Sequence, residues 1–374
     1  MGICLSTTKS PPSRKQNTNP SNRWSRVRSS STTKRNEDAM IHEHAKAAVE
    51  MLLQQQQQQT NNGGVGLTFD RSTSLRHVGA NSKRYQPLPR SSSSRARLGT
   101  DPLVPVQQLL NQKDVNLDEL ETSHIVLVHG GGFGAWCWYK TIALLEECKF
   151  RVTAIDLIGS GIDLFDTNSI KSLSQYVAPL TDFLEKLADG DKVILVGHDF
   201  GGVCISYAME LFPSKIAKAV FIAASMLKSG QSTLDMFSQK ENTNDLMRQA
   251  QKFLYTNGNN LPPTAIDLDK MLLKDLLFNQ SPAKDVALAS VSMRPIPFPP
   301  VLEKLSLTDA NYGSVRRFYI ETPEDNAIPI TLQQSMISES PPEKVFRLKG
   351  SDHSPFFSKP QALHKLLVEI TKIK

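Results

Sequence analysis

An α/β fold, with a mostly parallel sheet and helices on both faces, is predicted by three observations on the chain after about residue 105. Short β-branched apolar runs recur, helical stretches separate most of them, and the runs are continuously apolar rather than alternating with polar residues. In order, the strand-like runs are 125–128, 152–155, 192–196, 217–222, 315–320 and 344–348. Helical patterns lie between them, including 172–188, 201–211 and a terminal stretch at 361–371. A run buried on both faces has no polar side to show, so continuity marks the parallel sheet of an α/β domain. The rhythm breaks between about 228 and 307, where helical pieces and the proline-rich run Pro295-Ile-Pro297-Phe-Pro299-Pro300 intervene. An insertion that long is predicted to be a lid over the strand ends. The expected organisation is therefore a domain over 106–374 with a lid at about 228–307, preceded by a separate segment, 1–105.

At 374 residues the chain has room for one large domain or two small ones, and its charge divides unevenly. Residues 1–100 hold 16 Lys/Arg against 5 Asp/Glu, whereas the remaining 274 hold 27 against 32. The formal net charge of +6 therefore belongs to the front segment. That segment is rich in Ser, Asn, Arg and Gln, with the tract Gln54–Gln59 and the run Ser91–Ser94, a composition that predicts disorder. The stretch 38–53 is compatible with a transient helix. The body has no Lys/Arg cluster interleaved with aromatics, which argues against nucleic acid as a partner. Cys4, Cys137, Cys148 and Cys204 form neither a CxxC pair nor a regular framework, so reduced thiols are expected. No apolar run is long enough for a membrane span. No metal and no cofactor is expected.

The segment Val193-Ile-Leu-Val-Gly197-His198-Asp199-Phe200-Gly201-Gly202 carries the chemistry. An apolar strand enters Gly-x-Asp-x-Gly and then a helix, the layout of a nucleophile elbow, in which small residues let the backbone turn sharply beneath an exposed side chain. The competing interpretation, a dinucleotide-binding turn, lacks G-x-G-x-x-G and would sit on the first strand rather than the third. Upstream, Ile125-Val-Leu-Val-His129-Gly130-Gly131-Gly132 is a strand followed by His and glycines, which supplies one oxyanion donor. The second is the amide of Phe200, the residue after the elbow. His129 and His198 read as structural residues. Near the end, Glu324 and Asp325 follow one strand, and Asp352 and His353 follow the next. Nucleophile, acid and base thus occur in the order of an α/β-hydrolase triad. Asp325 is the expected acid, with Glu324 and Asp352 as competitors.

Together with Ala135-Trp-Cys-Trp-Tyr, Ala287-Leu-Ala-Ser, Thr322-Pro-Glu-Asp and Gly350-Ser-Asp-His, these motifs make residues 124–373 resemble the plant methylesterase family. Its relatives include salicylic-acid-binding esterases and hydroxynitrile lyases. The resemblance implies an α/β-hydrolase fold and hydrolysis of methyl esters of small plant acids such as salicylate, jasmonate or indole-acetate. It implies a triad of the elbow residue, Asp325 and His353, with the Gly131 and Phe200 amides as oxyanion hole. Two departures stand out. The family pattern has Ser where this chain has Asp199, and the lysine that follows the catalytic His in the lyases is replaced by Ser354.

A serine triad works because neutral imidazole takes the hydroxyl proton. Asp199 has none to give, would compete for the oxyanion donors, and with Asp325 would favour imidazolium at His353. Ester turnover should therefore be impaired. Two alternatives follow: a non-catalytic protein that binds a small ester or acid, and an Asp-nucleophile hydrolase of the epoxide-hydrolase type. Against the second, Phe200 lacks an indole N–H and only Tyr255 stands in the insertion.

Residues 1–35 contain eight Lys/Arg and no acid, a composition that fits a plastid transit peptide. Met1-Gly2-Ile3-Cys4-Leu5-Ser6 fits myristoylation at Gly2 with palmitoylation at Cys4. The chloroplast is the expected location, and an acylated plasma-membrane surface is the alternative; membrane contact is expected only if Gly2 and Cys4 are acylated.

Overall fold

A computed structural model describes residues 117–238 and 245–374. The basic segment, Gly2, Cys4 and the stretch 38–53 lie outside the described residues. In chain order, β1 (His124–Val128), α1 (Tyr139–Glu147), β2 (Arg151–Ile155), α2 (Leu173–Tyr176), α3 (Ala178–Glu185), β3 (Val193–His198), α4 (Gly201–Leu211) and β4 (Ile216–Ile222) form the first half. An insertion follows, made of α5 (Thr233–Ser238), α6 (Asp245–Ala250), β5 (Gln251–Leu254), β6 (Ala265–Leu268), α7 (Leu273–Leu277), α8 (Ala283–Ser292), β7 (Ile296–Pro297) and α9 (Phe298–Leu302). The fold closes with β8 (Arg316–Glu321), α10 (Ile330–Glu339), β9 (Lys344–Arg347), α11 (Pro355–Ser358) and α12 (Pro360–Lys372).

Six strands pair in the order β2-β1-β3-β4-β8-β9, every pair parallel. Their apolar residues alternate between two buried clusters. Val126, Val128, Leu195, Phe221 and Tyr319 face one side with α3 and α4, whereas Ile125, Leu127, Ile194, Val196, Val220 and Ile320 face the other with α1 and α12. Side chains alternate along a strand, so two apolar faces require the continuous runs seen in the sequence. The single helix expected over 172–188 is two, α2 and α3, broken at Val177. Pro179 has no N–H to extend a helix from α2, but it suits the first turn of α3.

The insertion contains a three-stranded antiparallel sheet, β5-β6-β7, that the sequence pattern did not announce. Pro297 lies in β7, at the edge of this sheet, where the ladder tolerates a missing N–H. Two glycines let α4 enter tightly against the main sheet. A Cβ at Gly201 would lie 2.6 Å from the His129 carbonyl oxygen, and one at Gly202 would lie 2.6 Å from that of Ser225. This wedge brings the C-terminal ends of β1, β3 and β4 to one point.

Candidate active site

Asp199 sits at the turn between β3 and α4 with φ of 50°, a left-handed conformation that side chains rarely adopt but that Asp tolerates better than most. Its backbone is tied on both sides. Its N–H donates to the Ile222 carbonyl, and its carbonyl accepts from the Gly202 and Ser225 amides at 3.0 Å each. The side chain projects from the elbow with 19% of its surface exposed. Its carboxylate reaches back to the loop after β1: the Gly131 N–H donates to Oδ2 at 2.8 Å, and the nearby Phe200 amide also favours the charged form. Gly130 must be glycine for this approach, since a Cβ there would lie 2.6 Å from Asp199 Cβ.

His353, in the loop after β9, is buried, and its Nδ1–H donates to Asp325 Oδ2 at 2.9 Å. Its Nε2 faces Asp199 Oδ1 across 3.9 Å, too far for a direct hydrogen bond. Asp325 is cradled. The Ala327 and Ile328 amides donate to Oδ1 at 2.7 and 2.9 Å, and the Thr322 hydroxyl donates to Oδ2 at 3.1 Å. Behind it, buried Gln333 on α10 donates to the Thr322 and Ile328 carbonyls and accepts from the Thr322 amide.

Electrostatics follow from this geometry. Burial alone would lower the His353 pKa. The Asp325 charge and hydrogen bond, then the charges of Asp199 and Asp352, outweigh it and hold the imidazole at about 9. At neutral pH it is an imidazolium. Burial raises the Asp199 carboxyl above its ordinary value, opposed by the His353 charge and the Phe200 and Gly131 amides.

The other candidates have separate roles. Asp352 accepts from the Gln280 amide, the Ser281 hydroxyl and the Ser354 amide, so it ties the insertion to the histidine loop. Glu324 lies beside the pair, and its backbone carbonyl accepts from Asn279. Buried His129 donates through Nδ1 to the Gly130 carbonyl and accepts the Leu157 amide at Nε2. His198 is buried against Phe133, Trp138 and Phe356, and its Nε2–H donates to the His353 carbonyl at 2.7 Å. Gln333 and Thr322 complete the site without having been singled out. Thr322 opens the Thr322-Pro-Glu-Asp motif, but nothing in the sequence separates Gln333 from its neighbour Gln334.

A cavity of about 110 Å3 opens above Asp199 and His353. One water needs ~10–15 Å3, so there is space for a ligand on the order of ten heavy atoms. Its walls are largely apolar, with Leu234, Phe237, Phe253, Ile266, Ile296 and Phe298 contributed by the insertion. No tyrosine stands among the lining residues, and Tyr255 is not one of them.

A parallel sheet with an elbow, a buried acid–histidine pair and an inserted apolar roof defines an α/β hydrolase, and residues 125–366 match the model described as the alpha/beta hydrolase family. A relative from Arabidopsis thaliana provisionally named methylesterase 11, chloroplastic, is 73% identical over 94% of this chain and 90% of its own. Methyl jasmonate esterase 1 of Vitis vinifera is 37% identical over 68% of this chain and 98% of its own. Among solved structures, a methylesterase from Arabidopsis is 34% identical, with a TM-score of 0.60 over 66% of this chain and 98% of its own. Tomato methylketone synthase I complexed with 2-tridecanone is 36% identical, with a TM-score of 0.62 over 67% of this chain and 97% of its own. The chain belongs to the plant methylesterase family of α/β hydrolases.

Proposed function

We propose that this protein is a carboxylic-ester hydrolase for methyl esters of small, largely apolar plant acids of the jasmonate, salicylate or indole-acetate kind. In this reading Asp199, Asp325 and His353 are the catalytic residues. The Gly131 and Phe200 amides are the oxyanion donors, the insertion at about 228–307 is the lid, and the segment 1–105 directs the protein to the chloroplast. The observation that carries it is the convergence of an apolar cavity on Asp199 and on a His353 held by Asp325 at 2.9 Å. The names of the relatives support the substrate class and the location.

Turnover is slow, because the site rests with its Gly131 donor engaged and its imidazole protonated. The test is acid release from a panel of methyl esters by the natural protein and by Asp199→Ser, side by side. Serine frees the Gly131 amide, and one oxyanion donor is worth about 10²–10³ in rate, so the variant should exceed the natural protein by at least about 10²-fold. If neither protein releases acid from any methyl ester, the reading is wrong. A second reading, a ligand-binding protein without turnover, is favoured by the Gly131 N–H donating to Asp199 rather than to a substrate. It predicts tight ester binding by the natural protein with hydrolysis only in Asp199→Ser.

A further inference from the structure

Resting on the methylesterase reading, we propose that Asp199 cleaves its ester at the bond between methyl carbon and oxygen, by attack of Oδ1 on the methyl group, and not at the acyl carbon. The placement of the two carboxylate oxygens points to it. Oδ2 accepts from Gly131 at 2.8 Å, so a substrate carbonyl has lost one of its two oxyanion donors. Attack at that carbonyl would build charge on an oxygen short of the Gly131 donor and yield an anhydride. Oδ1 is different. It stands 3.9 Å from His353 Nε2, unbonded to it, on a side chain that borders the cavity. Three backbone hydrogen bonds fix the elbow behind it. A nucleophile held rigidly beneath an apolar chamber suits displacement at a small, unhindered carbon.

The steps balance. Oδ1 forms a bond to the methyl carbon, and the bond to the ester oxygen breaks with its electron pair on the departing carboxylate. The imidazolium Nε2–H protonates that carboxylate, leaving a neutral imidazole and a methyl ester on Asp199. Methylation also removes the Asp199 charge, one of those that hold the proton on His353. The imidazole now takes a proton from water, and the hydroxide bonds to Asp199 Cγ. The charge this creates falls on Oδ2, which is already seated against the Gly131 amide. Collapse expels methanol, which carries off the proton from His353. The new carboxyl then returns its own proton to the imidazole. The donor that obstructs acyl cleavage thus serves the hydrolysis of the aspartyl ester.

The experiment is a single turnover of full-length protein with a methyl ester in water enriched in heavy oxygen, with mass analysis of the acid and of the Asp199 peptide. From the natural protein the acid should carry no heavy oxygen, while the peptide gains one. In Asp199→Ser, which works through the acyl carbon, the acid should carry one. In His353→Gln the peptide should accumulate one added methyl, and methanol release should fall by on the order of 10²-fold or more. Heavy oxygen in the acid from the natural protein overturns the proposal and leaves the methylesterase reading standing. Hydrolysis confined to Asp199→Ser overturns the proposal as well, and favours the ligand-binding reading over the methylesterase one. Silence from both proteins removes the reading on which the proposal rests. Should His353→Gln not fold, label in the Asp199 peptide of the natural protein still decides.

Discussion

Aspartate fits the elbow sterically, because a short polar side chain tolerates the left-handed backbone at φ of 50°, and its effect is chiefly on the charge of its neighbours. Asp325, Asp199 and Asp352 together raise the His353 pKa from 6.5 to about 9 against the opposing effect of burial. A pKa raised on folding stabilises the fold in full below the unfolded value of 6.5, and the stabilisation is lost as pH rises through about 9. Two readouts follow. The His353 ring resonances in NMR should titrate near pH 9, and the unfolding midpoint should fall across pH 6.5 to 9 for this group's share. Asp199→Asn removes one of the charges, so the ring should titrate at lower pH and the midpoint should vary less with pH over that window. An unchanged titration in Asp199→Asn would mean that Asp325 and Asp352 set the proton on His353 without it. The acid–histidine pair was legible in the sequence from the order elbow, Asp325, His353. Its supporting partner was not: Gln333 differs from Gln334 only in facing inward, which depends on how α10 packs.

At the scale of elements, the main strands were readable because burial on both faces leaves a chemical mark, a run without polar interruptions, and β3 and β4 are buried at every position. The small sheet β5-β6-β7 left no such mark. Gln251–Leu254 is half-buried without alternation, and β7 is two residues long inside a proline-rich run. A tight joint lies where α4 meets β1. The Gly201 position lies 2.6 Å from the His129 carbonyl and 2.8 Å from that of Val128, both backbone atoms of a central strand end. Gly201→Ala therefore has nowhere to put its methyl without moving α4 or β1. Overpacking of this kind costs about 1–3 kcal/mol, and a shift of β1 would also disturb the Gly131 amide that donates to Asp199. Urea unfolding should show a loss of that size. The same substitution at Gly190, where no heavy atom lies within 4 Å of the Cβ position but φ is 89°, separates strain from crowding. A loss at Gly201→Ala well below about 1 kcal/mol would refute the crowding argument.

On the scale of the whole molecule, the positive front segment and the negative body are chemically separate, and the segment holds two incompatible addresses. Residues 1–35, with eight Lys/Arg and no acid, suit plastid import, whereas Gly2 and Cys4 suit a two-acyl membrane anchor. Among the described residues no helix is long and apolar enough to cross a membrane. Acylation would anchor the protein stably only at both positions, since one myristoyl chain holds only marginally. Import and acylation also differ in chemical need. Myristoylation requires Gly2 itself, while a transit segment reads basic, hydroxyl-rich composition and is indifferent to one small residue. A full-length fluorescent fusion should consequently enter chloroplasts, and Gly2→Ala should leave that signal unchanged. Replacing the eight basic residues of 1–35 by Gln should abolish import while leaving Gly2 in place. A rim of fluorescence at the plasma membrane that disappears in Gly2→Ala would reverse the assignment and place this hydrolase at the membrane surface.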